Sequence, residues 1–291
     1  MKKNKKLKLI IILSLIFILL LLICVDLYLS NNTFSSSYYT VKSDKIESSF
    51  RIVQLSDLHG KEYGENNEKL IAEIEKAKPD LIVTTGDMLD GYSEKTESVS
   101  ILLKKLSKIA PLYSSCGNHE LMHDEKSLSK SKDVYEENGA ILLEESFAEI
   151  EINGQKIRLG GIYGYCLPEI YYKNNPEHQK VADFIRSYQE TELFTVLLCH
   201  MPVCFIENGG LDYWDIDLVF SGHAHGGQLR IPFIGGLIAP DQGYFPGKVS
   251  GLYFSGDNNK CLVLSRGLGS SENIPRFNNI PELVITDVVP K

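Results

Sequence analysis

Five of the seven histidines in this chain sit in short clusters that also hold aspartate, asparagine and glycine. In order the clusters are Asp57-Leu58-His59-Gly60, Gly86-Asp87-Met88-Leu89-Asp90, Gly117-Asn118-His119-Glu120, Leu198-Cys199-His200 and Gly222-His223-Ala224-His225-Gly226. Carboxylates and imidazoles spread along a chain in this way are what a pair of divalent metals needs. Oxygen and nitrogen donors suit manganese, iron or zinc, and disfavour copper(I) or an iron–sulfur cluster. Asp-x-His or Gly-Asp alone arises often by chance. Five clusters, each at the end of an apolar stretch, are much harder to explain away.

The elements that must position these residues can be read from periodicity. Phe50–Leu55 reads as a strand running into Asp57, and Leu81–Thr84 as a buried strand running into Gly86-Asp87. Leu112–Ser115 leads in the same way to Gly117-Asn118-His119. Helical spacing over Asn66–Ala77 and Val99–Ile109 separates them, a βαβαβ rhythm that argues a largely parallel sheet with helices on its faces. The second half changes character. Asn153-Gly154 marks a hairpin with a type I′ turn, a helix is expected over Gln179–Glu190, and short strands are expected at Leu193–Leu198, Ile216–Phe220, Gly251–Phe254, Cys261–Leu264 and Leu283–Val288. Asp57, Asp87, Asn118, His200 and His223 each follow a strand within one to three residues. Ligands gather at the carboxyl ends of strands in open α/β sheets, and Gly86, Gly117 and Gly222 allow tight exits there. Periodicity alone supports α/β and no more.

The N-terminus carries a separate signal. Leu9 to Val25 is apolar apart from Ser14 and Cys24, and with the residues to Leu29 it reaches the roughly 20 residues that span a bilayer. Five lysines lie in the first eight residues, which the positive-inside tendency keeps cytoplasmic. No small-x-small cleavage site follows the run, so an uncleaved signal anchor is expected rather than a signal peptide. The resulting organisation is a basic cytoplasmic tail over 1–8, a transmembrane anchor over 9–29, a serine-rich flexible linker over 30–47 and a catalytic domain over 48–291. A tether of that length reaches roughly 25 Å, so the body stays near the membrane, on its extracytoplasmic side. Beyond the five lysines the chain holds 25 basic against 38 acidic residues, about −13. A body that acidic repels nucleic acid backbones.

The clusters, in this order, resemble the calcineurin-like metallophosphoesterases. Gly226-Gly227-Gln228 to Gly251, Ser265-Arg266-Gly267-Leu268-Gly269 and Arg276-Phe277-Asn278-Asn279 are similar to the membrane-anchored bacterial branch of that family, so the likeness covers about residues 48–289. It implies a four-layer α/β/β/α sandwich of two mixed sheets and a two-metal hydrolytic centre. Asp57, His59 and His225 would hold one metal, Asn118, His200 and His223 the other, and Asp87 would bridge them. His119 would be the non-ligand histidine that protonates the leaving oxygen or binds a phosphate oxygen. The implied reaction is in-line attack on phosphorus by a hydroxide that two ions supply. The substrate expected is a phosphate diester or pyrophosphate, lipid-linked or from the cell envelope. A monoesterase and a non-catalytic envelope-binding protein are the alternatives.

Other features have plainer readings. Arg276 suits a phosphate, and equally a bond to loop carbonyls. Glu120 stands where many relatives carry Asp and should be tolerated, and Asp90 should support the ligands from behind. His123 and His178 read as surface residues, with support behind the ligands as a second reading for His123. The six cysteines (24, 116, 166, 199, 204, 261) show no paired spacing and read as small buried residues. The apolar stretch Ile231–Ile238 could meet the bilayer or an acyl chain, core packing being the simpler expectation. Gly161 to Pro176, with Tyr163, Tyr165, Tyr171 and Tyr172, could roof the pocket.

Overall fold

A computed structural model describes residues 2–127, 129–164, 166–168, 176–270 and 274–291. Helix α1 (Lys2–Asn32) holds the apolar run, and β1 (Ser35–Ser43) follows at once. Then come β2 (Phe50–Leu55), α2 (Glu68–Ala77), β3 (Leu81–Thr85), α3 (Glu97–Leu106) and β4 (Leu112–Ser115). Helices α4 (Asn118–Lys126) and α5 (Ser131–Glu136) precede the short β5 (Ile141–Leu142). The second half runs β6 (Ser146–Ile152), β7 (Gln155–Ile162), α6 (Pro176–Gln189), β8 (Phe194–Cys199), α7 (Val203–Ile206), α8 (Gly210–Tyr213) and β9 (Leu218–Ser221). Two small ribbons follow, β10 (Arg230–Ile231) with β11 (Gly235–Gly236) and β12 (Ile238–Ala239) with β13 (Gly243–Tyr244). Strands β14 (Gly251–Phe254), β15 (Cys261–Leu264) and β16 (Glu282–Pro290) complete the chain.

The long strands form two mixed sheets, ordered β1-β16-β2-β3-β4-β5 and β14-β15-β9-β8-β7-β6. Period-2 geometry decides which side chains face which layer. Ile52, Val83, Val196 and Leu198 point between the sheets. Val53, Leu55 and Ile82 point instead to a layer shared with Leu70, Leu102 and Tyr135 of α2, α3 and α5. Leu197 and Val219 point to Ala182, Ile185 and Tyr188 of α6. Strands covered on both faces read as unbroken apolar runs, and the result is the four-layer α/β/β/α sandwich. At the β6–β7 turn Asn153 and Gly154 have φ of 53° and 79°, the double positive φ of a type I′ hairpin.

Two expectations need correction. Residues 30–47 are not a flexible linker, because β1 occupies nine of them and pairs in parallel with β16 along its whole length. Backbone pairing with a strand some 240 residues away fixes a segment whose serines and threonines carry little apolar signal. The stretch Ile231–Ile238 is not core: Ile231, Phe233 and Ile234 are exposed. Among the described residues α1 is the one helix long and apolar enough to cross a membrane.

Candidate metal centre

The carboxyl ends of β2, β3 and β4 in one sheet meet those of β8 and β9 in the other. The Gln54 amide joins the sheets there, donating from Nε2 to the Thr85 hydroxyl at 2.8 Å and the Ser221 carbonyl at 2.9 Å. Just beyond, Asp57, His59, Asp87 and His225 form one group and Asp87, His200 and His223 a second, and within each group the donor atoms lie within 4.8 Å of one another. Asp87 belongs to both. Asn118 joins the second group, its Oδ1 being 3.1 Å from His200 Nε2. The structure therefore gathers all seven oxygen and nitrogen donors that the motifs singled out.

The backbone is bent to do so. Asp57, His59, Asp87, His223 and His225 have φ between 47° and 67°, a left-handed conformation that costs non-glycine residues of order 1 kcal/mol or more each. Such strain persists where the surroundings over-determine it. The glycines permit the crowding: a Cβ at Gly117 would lie 2.2 Å from Asp87 Oδ1, and one at Gly222 would lie 2.3 Å from Asp57 Oδ2. No other residue fits at either position without moving a carboxylate.

The residues fit a cation. Asp57 Oδ2 is buried with no hydrogen-bond partner among the described residues, and the Nε2 atoms of His59 and His225 face each other at 3.4 Å. Burial pushes His59 down to about 3, and burial together with the neighbouring His59 holds His225 well below 6.5. Both rings are thus neutral with a lone pair to offer. His200 differs. Burial alone would lower it, but the charge of Asp87 and a bond to that carboxylate outweigh burial and raise it to about 10. Its Nδ1 lies 2.7 Å from the Thr85 carbonyl, which fixes Nε2 as the atom facing Asp87 Oδ2 at 3.2 Å. Asp87 in turn is held well below the carboxylate range, the charge of His200 and its hydrogen bond overcoming burial.

A pH dependence follows. Between pH 7 and 9 His200 carries a proton that a cation must displace, while His59 carries none. Metal affinity is expected to rise with pH across that window as the His200 proton is displaced. Calorimetric titration in buffers of different ionisation enthalpy reads that proton directly, and pH-independent loading would show that His200 is not displaced.

His119 stands apart from both donor groups. Its ring lies edge-on to His59, centroids 4.4 Å apart, and its Nδ1 accepts the Gly91 N–H at 3.1 Å. In the neutral ring the proton is therefore on Nε2. Asp90 Oδ1 lies 3.7 Å from His119 Nδ1, beside the non-ligand histidine and not behind a member of either donor group. Tyr163 is pushed above 10 by burial first and then by the charges of Asp87 and Asp241. Tyr165, Tyr171 and Tyr172 lie outside the described residues.

Arg276 takes the second of the two readings offered for it, His123 is not at the surface, and Glu120 has a structural role. Arg276 is fully buried, and its guanidinium donates to the carbonyls of Gly269, Arg266 and His225. It braces the His225 loop and presents nothing to a phosphate. His123 is buried, its ring nitrogens 3.0 and 3.1 Å from the carbonyls of Ser93 and Ser129. Glu120 is far more than a tolerated variant. Its carboxylate accepts the N–H groups of Asp87, Gly117 and Leu89 at 2.7, 2.8 and 2.9 Å and the Tyr135 hydroxyl at 3.0 Å, pinning two of the loops. Glu120→Ala leaves three buried N–H groups unpaired at about 1–3 kcal/mol each, so a loss of roughly 3–5 kcal/mol in denaturant unfolding is expected. Asp241, which lies in the 226–251 stretch that carries the family likeness but was given no role there, is 3.1 Å from His223 Nε2.

Residues 50–227, more than half of the chain and every residue of both donor groups, match the family described as calcineurin-like phosphoesterase. The chain belongs to that family. It is 30% identical over 268 residues to the metallophosphoesterase YkuE of Bacillus subtilis (strain 168), covering 89% of this chain and 86% of YkuE. It is 27% identical to the metallophosphoesterase YkoQ of the same organism, over 90% of this chain and 94% of YkoQ. Phosphodiesterase YaeI of Escherichia coli (strain K12) is 28% identical, over 82% of each chain. As a calcineurin-like phosphoesterase this protein is a hydrolase acting on phosphate esters, with a histidine and aspartate cluster that could hold metal.

Proposed function

We propose that this calcineurin-like phosphoesterase is a dinuclear, metal-dependent phosphodiesterase or pyrophosphatase held at the membrane by α1. The observation that carries the reading is Asp87, shared by two donor groups, since one carboxylate can give an oxygen to each of two ions. Asp57, His59 and His225 hold one ion, and Asn118, His200 and His223 the other. Manganese, iron or zinc held there would supply a nucleophile active at neutral pH and positive charge for the transition-state oxygens. The chain's residues do the rest. Glu120 and Arg276 fix the loops, and His119 directs Nε2–H at a phosphate oxygen or the leaving group, with Nδ1 held by Gly91.

A diester is favoured because two unlike spaces flank the centre. On one side a polar groove of 760 Å³ is lined by His59, Asp90, Ser93, Lys95, Thr96 and Ser98. On the other an apolar cavity of 340 Å³ is lined by His225, Ile238, Ala239, Pro240, Asp241 and Ile274. A phosphate with one polar and one apolar arm uses both, which supports a lipid-linked or envelope substrate. The test compares bis-p-nitrophenyl phosphate with p-nitrophenyl phosphate on the full chain in detergent. Faster diester cleavage is expected. Preference for the monoester would make the protein a monoesterase, and cleavage of neither would favour a binding protein.

A further inference from the structure

Large apolar side chains are exposed on the two ribbons, one of which lines the apolar cavity through Ile238, Ala239 and Gly243. Phe233 is 109% exposed, and Ile234, Tyr244 and Phe245 are exposed with it. Phe233 and Ile234 lie in the β10–β11 turn, and Tyr244 and Phe245 end the neighbouring ribbon. The ribbons hold together, Phe245 N–H donating to the Leu237 carbonyl at 2.9 Å and Leu237 N–H to the Leu229 carbonyl. Gly243, one residue before Tyr244, lines the cavity itself. The ribbon that carries Tyr244, part of this exposed apolar lip, thus also borders the cavity beside His225.

The lip is tied to the end of α1. Arg230 N–H donates to the Phe277 carbonyl at 2.9 Å, joining the lip to segment 276–279. The same segment receives the helix. Asp26 accepts the Asn278 N–H at 2.7 Å, Asn31 accepts the Arg276 N–H at 2.9 Å and donates to the Arg276 carbonyl at 2.8 Å, and Ser30 accepts the Asn279 N–H at 3.3 Å. Asp26 is the first charged residue after the apolar run. If α1 spans a bilayer, the apolar layer ends near Asp26, and the lip is bonded to the segment docked there.

We propose that residues 231–234 and 244–245 insert into the interfacial layer of the bilayer that α1 crosses, turning the apolar cavity toward it. The phosphodiester substrate then presents its phosphate to the centre while its apolar arm remains in the membrane. This rests on the reading of the chain as a membrane-held phosphodiesterase. Apolar side chains exposed in this number on a soluble surface mark an interaction site, and an apolar face beside a polar body settles at the headgroup and acyl boundary.

Trp214, the one native tryptophan, is buried and so serves as an internal control. The full chain carrying Phe233→Trp is placed in phosphatidylglycerol nanodiscs with or without bromine on the acyl chains. A blue-shifted added emission that bromolipid quenches is expected, with native Trp214 emission unchanged. Added emission that is red-shifted, or blue-shifted but unquenched because the lip packs on a second copy, overturns the proposal. A second variant, Phe233→Asp with Phe245→Asp, is expected to lower kcat/KM roughly tenfold on a diester carried by membrane lipid, and an unchanged value also counts against the lip. Quenching needs no turnover. Quenching of the added indole in a chain that cleaves no diester would leave the lip standing and remove the diesterase reading, whereas an active chain whose added indole is unquenched would do the reverse.

Discussion

Asn in place of Asp87 is expected to reduce hydrolysis by ~10³-fold or more, about 4 kcal/mol, and to lower the metal content at the same time. The substitution keeps the shape of the side chain and its Oδ1, which accepts the His119 N–H at 2.8 Å. It removes the one charge common to the two donor groups. It also withdraws the carboxylate that raises His200, so the Asn variant should release less proton on any residual loading. Elemental analysis of the purified variant beside its activity checks both parts. Full activity with an unchanged metal complement would remove Asp87 as the bridge.

His119→Ala is expected to cost 10²–10⁴-fold in turnover, the usual range for a positioned acid, with metal content unchanged. The drop should depend on the leaving group. A p-nitrophenolate departs with little help from an acid, whereas an alkoxide needs the proton, so the loss should be larger for alkyl esters. The argument rests on Gly91 holding Nδ1, which leaves the Nε2 proton for the substrate. Equal losses for both leaving groups would assign His119 to phosphate binding, and loss of metal would make it a ligand.

Much of this centre was legible because each motif sits within three residues of an apolar strand, and the carboxyl ends of parallel strands converge. The strands lying wholly inside the sandwich were legible for the same reason: burial on both faces leaves an unbroken apolar run. What escaped detection depends on distant partners. β1 is ordered by β16 at the far end of the chain, through backbone bonds that side-chain pattern does not report. Arg276 looked like a phosphate contact because guanidinium suits either role, and only its burial among carbonyls decides between them. Glu120 did carry a local signal, three residues after Gly117 at the third position of α4, where a carboxylate reaches back to the N–H groups at the helix start. Its further bonds to Asp87 and Leu89 cross from another loop, and no spacing rule predicts them. Asp241 reaches His223 from a short ribbon with no periodic pattern of its own.

The central claim is that Asp57, His59, Asp87, Asn118, His200, His223 and His225 together hold two ions. The most direct test is the metal content per chain of the full-length protein, purified in detergent without a metal-binding tag and dialysed against metal-free buffer after loading with manganese or zinc. Two ions per chain, falling to one or none in Asp87→Asn, is the predicted result. One ion per chain that survives the loss of Asp87, or no ion at all, would contradict it.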